Sequence, residues 1–533
     1  VYEERWWSEK LKAPTVAAAR GATPTPAAPP KIEATPVIKD GVAVVVASDK
    51  VVRALDLESG KQKWNATMKG SVVGTPAISD KTLFVVDSLG NLESRLLQTG
   101  DLLATAAVGP TKASIMVHEG KVFVGNEAGE MKAYSEDLTL LWKFAISSVG
   151  ESKSTTGTGT SAKTVCDAKF SATGSQIRGA PAIYADKVIF GSLNHWVFAL
   201  NEQGDTAQAT ELKWMFKTGD AVFGSPTVDD VLKRVIVGSY DEKVYALPAS
   251  PSGEGPIEVD GKPCTGFKNT PNWTFIVPSD VGLSKVESTP AIDGDNAYFG
   301  ANNGRVYAVT LSGGTKVWEF VTGGDVTSSP ALSNGILVVG SDDGKVYWLK
   351  ASDGTKLNEF LADSSIKSSP ALDGNRAVVA SFEGSVYMFG PKKPTKPDLL
   401  VTAITYEAGG ISVTVKNAGD GEAAASSLRL TVDGALAADV PVGVLAAGAS
   451  TTVIHNMALA AGSHVVAAQA DQASVLQEHN ENNNGLSKSV AAGQPTATNG
   501  GGGDKGGFKI PAAGLAPTVA VLALALLALR RRR

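Results

Sequence analysis

The chain has 533 residues, with 49 Lys and Arg against 54 Asp and Glu, and a formal net charge of −5. Hydrophobic residues make up 43% and charged residues 19%, which excludes a disordered chain and allows several domains. The mildly acidic balance argues against a nucleic-acid partner, which would favour a basic face. Two cysteines are too few for a disulfide scaffold or a cysteine-based zinc site, and five histidines leave little for a histidine-based metal centre.

One phrase recurs along the first 390 residues, and its clearest copies begin at Ser288 and Ser328, 40 residues apart. Longer spacings precede two of the copies and contain insertions. An eighth copy starts near Ile115 without a proline. The other seven begin at Pro36, Pro76, Pro181, Pro226, Pro290, Pro330 and Pro370.

Each copy predicts four short antiparallel strands. In the copy that starts at Pro330, the turn signals Asn334-Gly335, Asp343-Gly344 and Asp353-Gly354 separate the strands. Asn-Gly and Asp-Gly favour the positive-φ turns of hairpins. Four strands per 40 residues, repeated eight times, predict an all-β chain with an eight-bladed β-propeller over residues 35–390.

The last copy supplies only three strands before the Pro/Lys-rich linker 391–396. A strand from the other terminus would complete it and remove an exposed edge. The N-terminal segment, residues 1–34, contains Arg5-Trp6-Trp7. Other copies carry a Trp on the fourth strand, so this segment is the candidate for closing the last blade.

These repeats resemble the PQQ-like β-propeller family in the Pro-Ala start, the Val-Tyr-Ala-Leu strand and the Gly-Lys-x-x-Trp end. The family includes quinoprotein dehydrogenases and non-catalytic propellers such as the outer-membrane assembly lipoprotein. The dehydrogenase alternative implies a cofactor stacked on a disulfide of adjacent cysteines, Ca²⁺ held by Glu and Asn, and an Asp base. Cys166 and Cys264 lie 98 positions apart, so we expect neither pyrroloquinoline quinone nor an enzyme.

Residues 397–490 predict an immunoglobulin-like β-sandwich of about seven strands. They resemble the CARDB domain in Pro397-Asp398-Leu399, in Val415 to Gly419 and in the closing run from Glu478 to Asn483. The oxygen-bearing side chains of that run, Glu478, Asn480, Glu481 and Asn483, are weak candidates for a Ca²⁺ site. The favoured alternative is that they tie down a closing turn through bonds to the backbone.

The C-terminal residues predict a membrane attachment. A Gly-rich tether, 491–509, precedes an anchor, 510–533, whose uncharged run Pro511 to Leu529 comes before four arginines. Nineteen residues as a helix span roughly 28 Å, close to a bilayer core. Positive charge stays in the cytoplasm, which places the bulk of the chain at the cell surface. The layout resembles prokaryotic C-terminal sorting signals.

Three further expectations concern modification and partners. Asn65 and Asn272 begin N-x-Thr sequons and are glycosylation candidates. Cys166 and Cys264 are disulfide candidates in an extracellular setting. We expect non-catalytic binding or adhesion to surface proteins or glycans, with a quinoprotein dehydrogenase and an envelope-assembly scaffold as alternatives.

Overall fold

The computed structural model describes residues 4–11, 29–149, 170, 174–201, 212–251, 257–259, 262–264, 269–279, 284–391, 395–478 and 480–493. Two compact units divide between Lys393 and Pro394. Apart from one 3-10 turn, Ile146–Ser148, all regular structure in these residues is β. The predicted all-β class is therefore confirmed.

The described part of the first unit contains eight antiparallel sheets of four strands, one for each repeat, and one inserted two-stranded hairpin. We number them sheets 1 to 8 in chain order. The N-terminal strand is β1 Glu4–Lys10. Sheets 1 to 4 contain β2 Val37–Lys39, β3 Val42–Val46, β4 Val51–Asp56, β5 Gln62–Thr67, β6 Ala77–Ser79, β7 Thr82–Val86, β8 Asn91–Leu96, β9 Leu102–Ala107, β10 Met116–His118, β11 Lys121–Gly125, β12 Glu130–Ser135, β13 Leu140–Ala145, β14 Ala182–Tyr184, β15 Lys187–Ser192, β16 Trp196–Asn201 and β17 Leu212–Lys217.

Sheets 5 to 8 follow the same plan, with a hairpin inserted before the fourth strand of sheet 5. Their strands are β18 Thr227–Asp229, β19 Arg234–Ser239, β20 Lys243–Pro248, the hairpin β21 Ile257–Val259 and β22 Lys262–Cys264, β23 Trp273–Ile276, β24 Ala291–Asp293, β25 Asn296–Ala301, β26 Arg305–Thr310, β27 Lys316–Val321, β28 Ala331–Ser333, β29 Ile336–Gly340, β30 Lys345–Lys350, β31 Lys356–Leu361, β32 Ala371–Asp373, β33 Arg376–Ala380 and β34 Ser385–Gly390.

The first strands of neighbouring sheets lie against one another around a ring. Strand β6 contacts both β2 and β10. Contacts also join β14 to β18, β18 to β24, β24 to β28 and β28 to β32, and β32 contacts β2. The second and third strands are buried on both sides, as in the all-buried Val42–Val46. Four-stranded antiparallel sheets arranged in this way are those of a β-propeller.

The N-terminal strand is the fourth strand of sheet 8. It pairs antiparallel with β34, with Glu4 opposite Gly390 and Lys10 opposite Ser385. The ammonium of Lys10 lies 2.6 Å from the carboxylate of Asp363. Burial alone would raise the pKa of Asp363, but bonds from Lys10 and from the hydroxyls of Ser381 and Ser385 hold that pKa well below its usual range. Both termini of the propeller thus meet in one sheet.

A belt of hydroxyl groups links the starts of successive repeats. The residue before each repeat's proline is Ser or Thr in most copies, and its oxygen accepts the backbone N–H of the preceding repeat's equivalent residue. Six such bonds measure 2.8 to 3.2 Å. At Ala180, which has no hydroxyl, the amide of Ser114 donates instead to the carbonyl of Arg178 at 3.1 Å. The Ser/Thr-Pro start of the repeat therefore serves contacts between sheets.

Tryptophans on several outer strands bond to the following sheet. The Trp318 indole N–H donates to the Ala351 carbonyl at 2.8 Å. A Cβ placed on Gly354 would lie 2.7 Å from the Trp318 ring, so only glycine fits beneath it. The pairs Trp64 with Gly100 and Trp273 with Gly314 repeat this arrangement.

Sheets 2 and 3 replace this contact with a complementary pair. Ala104 stands on β9, opposite Ser94, at the position where the outer strands β5, β13, β17, β23 and β27 carry Trp. Leu138 stands in the following turn where four other copies have Gly60, Gly100, Gly314 and Gly354, and it keeps the positive φ, at 63°. Leu138 is 6% exposed and packs in one apolar cluster with Ala104. A large side chain has moved from the strand to the turn.

The second unit is a β-sandwich of seven strands in the described residues. One sheet has the order β35-β36-β39 and the other β38-β37-β40-β41. Alternating strand residues such as Leu428 and Leu430 fill a single core between them. The strands are β35 Leu399–Glu407, β36 Gly410–Asn417, β37 Ser426–Val432, β38 Ala435–Val442, β39 Ser450–Asn456, β40 Gly462–Ala470 and β41 Gly485–Ala492.

The predicted membrane span, residues 511–529, lies outside the described residues. Within the described residues, no helix has the length and apolar character needed to cross a bilayer. Cys166 also lies outside them, whereas Cys264 ends the inserted strand β22.

Candidate functional site

One end of the propeller ring collects charged, aromatic and amide side chains. Strands alternate in direction, so the loops that enter each first strand and the turns between second and third strands emerge at the same end. The first strands are innermost, which places these loops around the axis. We define the axial mouth as Glu127, Arg178, Phe223, Tyr240, Glu287, Asn302, Thr327, Asp342, Lys367 and Phe382.

In the loops that enter the first strands, a buried residue alternates with a partly exposed residue that faces the mouth. In the loop before Pro181, Ile177 is fully buried while its neighbour Arg178 is partly exposed. Val286 is likewise buried beside Glu287 before Pro290. The buried aliphatic side chain fixes the loop, and the next side chain points the other way.

Two ion pairs join neighbouring sheets across the mouth. The Arg178 guanidinium lies 3.1 Å from Glu127, which belongs to the preceding sheet. The Lys367 ammonium lies 3.4 Å from Asp342 in the same relation. All four side chains are partly shielded from solvent, with exposed fractions between 21% and 40%. Partial shielding strengthens these pairs relative to fully exposed ones.

An aromatic stack lies on the neighbouring loops. The rings of Phe223 and Tyr240 are stacked at 4.5 Å, and the Lys285 ammonium lies 4.5 Å from the Tyr240 centroid. Burial and a hydrogen bond to Glu287 raise the pKa of the Tyr240 hydroxyl. The phenol therefore stays protonated and acts as a hydrogen-bond donor at neutral pH.

Several carboxylates converge beside this stack. The Asn302 amide donates to Glu287 at 3.1 Å. Burial, together with the charges of Asp342 and Glu287, raises the pKa of Asp325. Three acids on successive loops thus repel one another, with Lys367 as the nearby cation.

Buried polar atoms without a partner concentrate in this region. Within the described residues, the mouth contains five: Glu127 Oε1, Arg178 Nε, Asn302 Oδ1, Thr327 Oγ1 and Asp342 Oδ1. A buried polar group that makes no hydrogen bond costs about 1–3 kcal/mol. Their concentration in one half of the ring makes the axial mouth the best candidate functional site.

The closing run of the sandwich, Glu478 to Asn483, is held by hydrogen bonds to neighbouring backbone and side-chain groups. The Glu478 carboxylate accepts the Leu399 amide at 2.6 Å and the Asn484 side-chain amide at 3.0 Å. Glu481 accepts the amide of Glu478 at 2.9 Å. These bonds tie the last strand to the first.

The other two members of the run are engaged as well. Asn480 accepts the Asn482 amide at 3.1 Å, and Asn483 donates to Asp398 at 3.0 Å. Among the described residues, no three His, Cys, Asp or Glu side chains are grouped closely enough to hold a metal. The four candidates are thus placed in one turn, where their side chains bond backbone amides or the side chains of Asp398 and Asn484.

Asn65 and Asn272 lie where a glycan has space. Asn65 is an exposed residue of the outer strand β5, and Asn272 is exposed directly before β23. Glycosylation at either site stays a prediction.

The mouth does not match the cofactor site that the quinoprotein resemblance implies. It contains Glu, Asn and Asp, which are the expected residue types. However, Lys367 already pairs with Asp342, and Asn302 donates to Glu287. The adjacent cysteine pair on which the quinone would stack is missing from the sequence. These residues do not fit pyrroloquinoline quinone with Ca²⁺.

Comparison with known families identifies both units. A family model described as outer membrane protein assembly factor BamB matches residues 4–151 and 105–320, more than half of the chain. The chain belongs to this family. A second model, CARDB, matches residues 396–488, so the sandwich is a CARDB domain. No curated protein sequence matches the chain.

The fold of this chain resembles several solved structures at low sequence identity. BamB from Moraxella catarrhalis is 14% identical with a TM-score of 0.50, covering 73% of this chain and 99% of its own. Quinohemoprotein alcohol dehydrogenase from Comamonas testosteroni is 16% identical with a TM-score of 0.52, covering 76% and 79%. The computationally designed Ika8 protein is 14% identical with a TM-score of 0.52, covering 68% and 96%. At these identities the likeness shows the fold alone.

Sequence reasoning missed the axial mouth as a group. Its members are separated by tens of residues, and only the ring brings them together. The repeats did contain a signal for it. The third residue before the proline follows a buried aliphatic residue, and in several copies this third residue is charged or aromatic.

Proposed function

We propose that this protein is a non-catalytic binding protein that presents an eight-bladed propeller outside the membrane. In this proposal the axial mouth binds a surface protein or glycan. The CARDB domain and Gly-rich tether separate the propeller from a C-terminal membrane anchor. The five unpartnered buried polar atoms of the mouth carry the proposal, because a bound polar ligand, with small side-chain shifts, would satisfy them.

The geometry favours binding over catalysis. The charged groups of the mouth are engaged with one another through Arg178 to Glu127 and Lys367 to Asp342. Paired charges and a stacked Phe223 and Tyr240 form a fixed recognition surface. Rigid loops of this kind on a propeller are suited to recruit a partner.

Binding to isolated cell envelopes tests this proposal. We expect the full chain, purified in detergent, to sediment with envelopes of the source organism. Arg178→Glu, which would repel Glu127 and reverse the local charge, is expected to lower binding at least tenfold. Lys356→Glu, an exposed change on the outer strand β31, is the matched control and should bind as the wild type does. Equal binding by Arg178→Glu would contradict the proposal.

An envelope-assembly scaffold is a second candidate, favoured by the description of the matched family. The two candidates differ in the effect of deleting the gene. Loss of assembly would lower the amount of other envelope proteins, whereas loss of a surface binder would leave their amounts unchanged. A quinoprotein dehydrogenase would instead show dye-linked alcohol oxidation when supplied with pyrroloquinoline quinone and Ca²⁺.

A further inference from the structure

The ring of Phe223 forms a flat platform at the axial mouth. It is stacked on Tyr240, with the ring planes 11° apart and the centroids 4.5 Å apart. The Lys285 ammonium lies over the same Tyr240 ring, 4.5 Å from its centroid. Because the Phe223 ring fills one face of Tyr240, the ammonium lies over the other. The second face of Phe223 is therefore covered by neither group.

This platform lies outside the hydrophobic core. Val222, the preceding residue, is fully buried and packs in the apolar cluster between sheets 4 and 5. Phe223 is partly exposed, and within the described residues it belongs to none of the apolar clusters. A ring that is held in place outside the core exposes apolar surface that a ligand would cover.

The unpartnered atoms of the mouth are of both hydrogen-bonding kinds. Arg178 Nε is a donor. The acceptors are the side-chain oxygens of Glu127, Asn302 and Asp342, and the Thr327 hydroxyl can donate or accept. A ligand that satisfies all of them has to donate and accept. Hydroxyl groups do both, whereas an ammonium or guanidinium only donates and a carboxylate only accepts.

The charges already in place disfavour a charged ligand. Two ion pairs across the mouth engage Arg178 and Lys367, so an anionic ligand would have to displace a carboxylate. Arg178 and Lys285 both place positive charge beside Tyr240, which disfavours a cation on the platform. An uncharged ligand meets neither obstacle.

We propose that the mouth binds an uncharged oligosaccharide, one pyranose of which packs on Phe223. The C–H groups on one face of a pyranose carry a slight positive charge and suit the negative face of an aromatic ring. Its hydroxyls donate to Asn302 and Asp342 and accept from Arg178. Glu127 and Asp342 belong to sheets 3 and 7, on opposite sides of a ring of eight sheets, so more than one sugar is needed. The inference rests on the proposed function, in which the mouth is a binding site.

Binding to the polysaccharide fraction of cell envelopes, prepared by protease digestion and removal of lipid, tests the inference. The full chain is purified in a detergent without a sugar headgroup, because such a headgroup would compete. The wild type should bind this fraction and should lose binding after mild periodate oxidation, which cleaves the vicinal diols of sugars. Because the ligand is uncharged, affinity should change less than about twofold between roughly 0.05 and 0.5 M NaCl.

Substitutions at the platform give a second measurement. Phe223→Leu keeps an apolar side chain but removes the flat ring, and it should weaken binding to the fraction about tenfold or more. Phe223→Tyr keeps the ring and should bind more tightly than Phe223→Leu. The control is Leu357→Ala, at an exposed residue of β31 near the opposite end of the propeller, which should bind as the wild type does. Circular dichroism and the thermal midpoint establish that each variant is folded.

The possible failures are distinguishable. A full chain that binds intact envelopes but not the polysaccharide fraction recognises a protein or a lipid, which overturns the inference and leaves the proposed function standing. Binding to the fraction that falls steeply with salt shows a charged ligand and also overturns it, as does undiminished binding by folded Phe223→Leu. A full chain that binds no envelope component contradicts the proposed function itself.

Discussion

The contact between Trp318 and Gly354 offers a quantitative test of how neighbouring sheets are joined. Gly354 has a φ of 73°, and a Cβ there would lie 2.7 Å from the indole ring. Gly335 has nearly the same φ, 72°, but nothing lies within 4 Å of its Cβ position. The two glycines therefore share the backbone requirement and differ in the ring above them.

Substitution by alanine separates these two contributions. A left-handed conformation costs an L-residue about 1–2 kcal/mol, so Gly335→Ala should lose that amount. Gly354→Ala should lose a further 1–3 kcal/mol, roughly, because the ring must shift to accept the methyl group. In a Trp318→Ala background the ring is gone, and Gly354→Ala should cost no more than Gly335→Ala.

Equilibrium urea unfolding of the full chain, followed by far-UV circular dichroism, measures these differences as shifts in midpoint at constant slope. Equal losses for Gly354→Ala and Gly335→Ala would show that the Trp318 ring does not restrict residue 354. So would an undiminished loss for Gly354→Ala after Trp318 has been removed.

Four further predictions use the same chain. Ser329→Ala removes the acceptor for a repeat-start amide and should cost about 1–3 kcal/mol in urea unfolding. Glu478→Gln should be nearly neutral, because it removes a buried charge, whereas Glu478→Ala leaves the Leu399 amide unpaired and should cost a similar 1–3 kcal/mol, roughly. Bonds to Asp433 and to the Ala460 carbonyl raise the pKa of His464. The stabilisation that protonated His464 gives the fold is therefore complete below about pH 6.5, the unfolded pKa, and is lost as pH rises through the folded pKa. His464→Ala should flatten this dependence of stability on pH. Deleting the residues after Gly507 should release the protein into the medium, and truncated protein that pellets with membranes would contradict the anchor.

Repeat spacing predicted the local fold closely. In the copy that starts at Pro330, the predicted Asn334-Gly335 turn has a positive φ at both residues, 51° and 72°, and strand β29 Ile336–Gly340 follows it directly. Hairpin signals are local, so a sequence is sufficient to place them. Seven sandwich strands also follow from local alternation.

Contacts between neighbouring sheets could not be predicted from the sequence in the same way. The complementary exchange of Ala104 and Leu138 joins residues 34 positions apart, and its meaning depends on one sheet lying over the next. Pairing between Arg178 and Glu127 has the same origin. Aligning the repeats with one another would reveal the exchange. Ala104 replaces Trp and Leu138 replaces Gly, and both replacements occur at the junction of sheets 2 and 3.

Hydrogen–deuterium exchange of the full chain with and without isolated envelopes tests whether the axial mouth is the binding site. Binding there should slow exchange of backbone amides in the loops that carry Arg178 and Glu287 and in the turn of Asn302. Turns between third and fourth strands, such as that of Asp353, emerge at the opposite end and should exchange unchanged. Protection confined to those opposite turns, with none at the mouth, would show that the mouth is not the binding site.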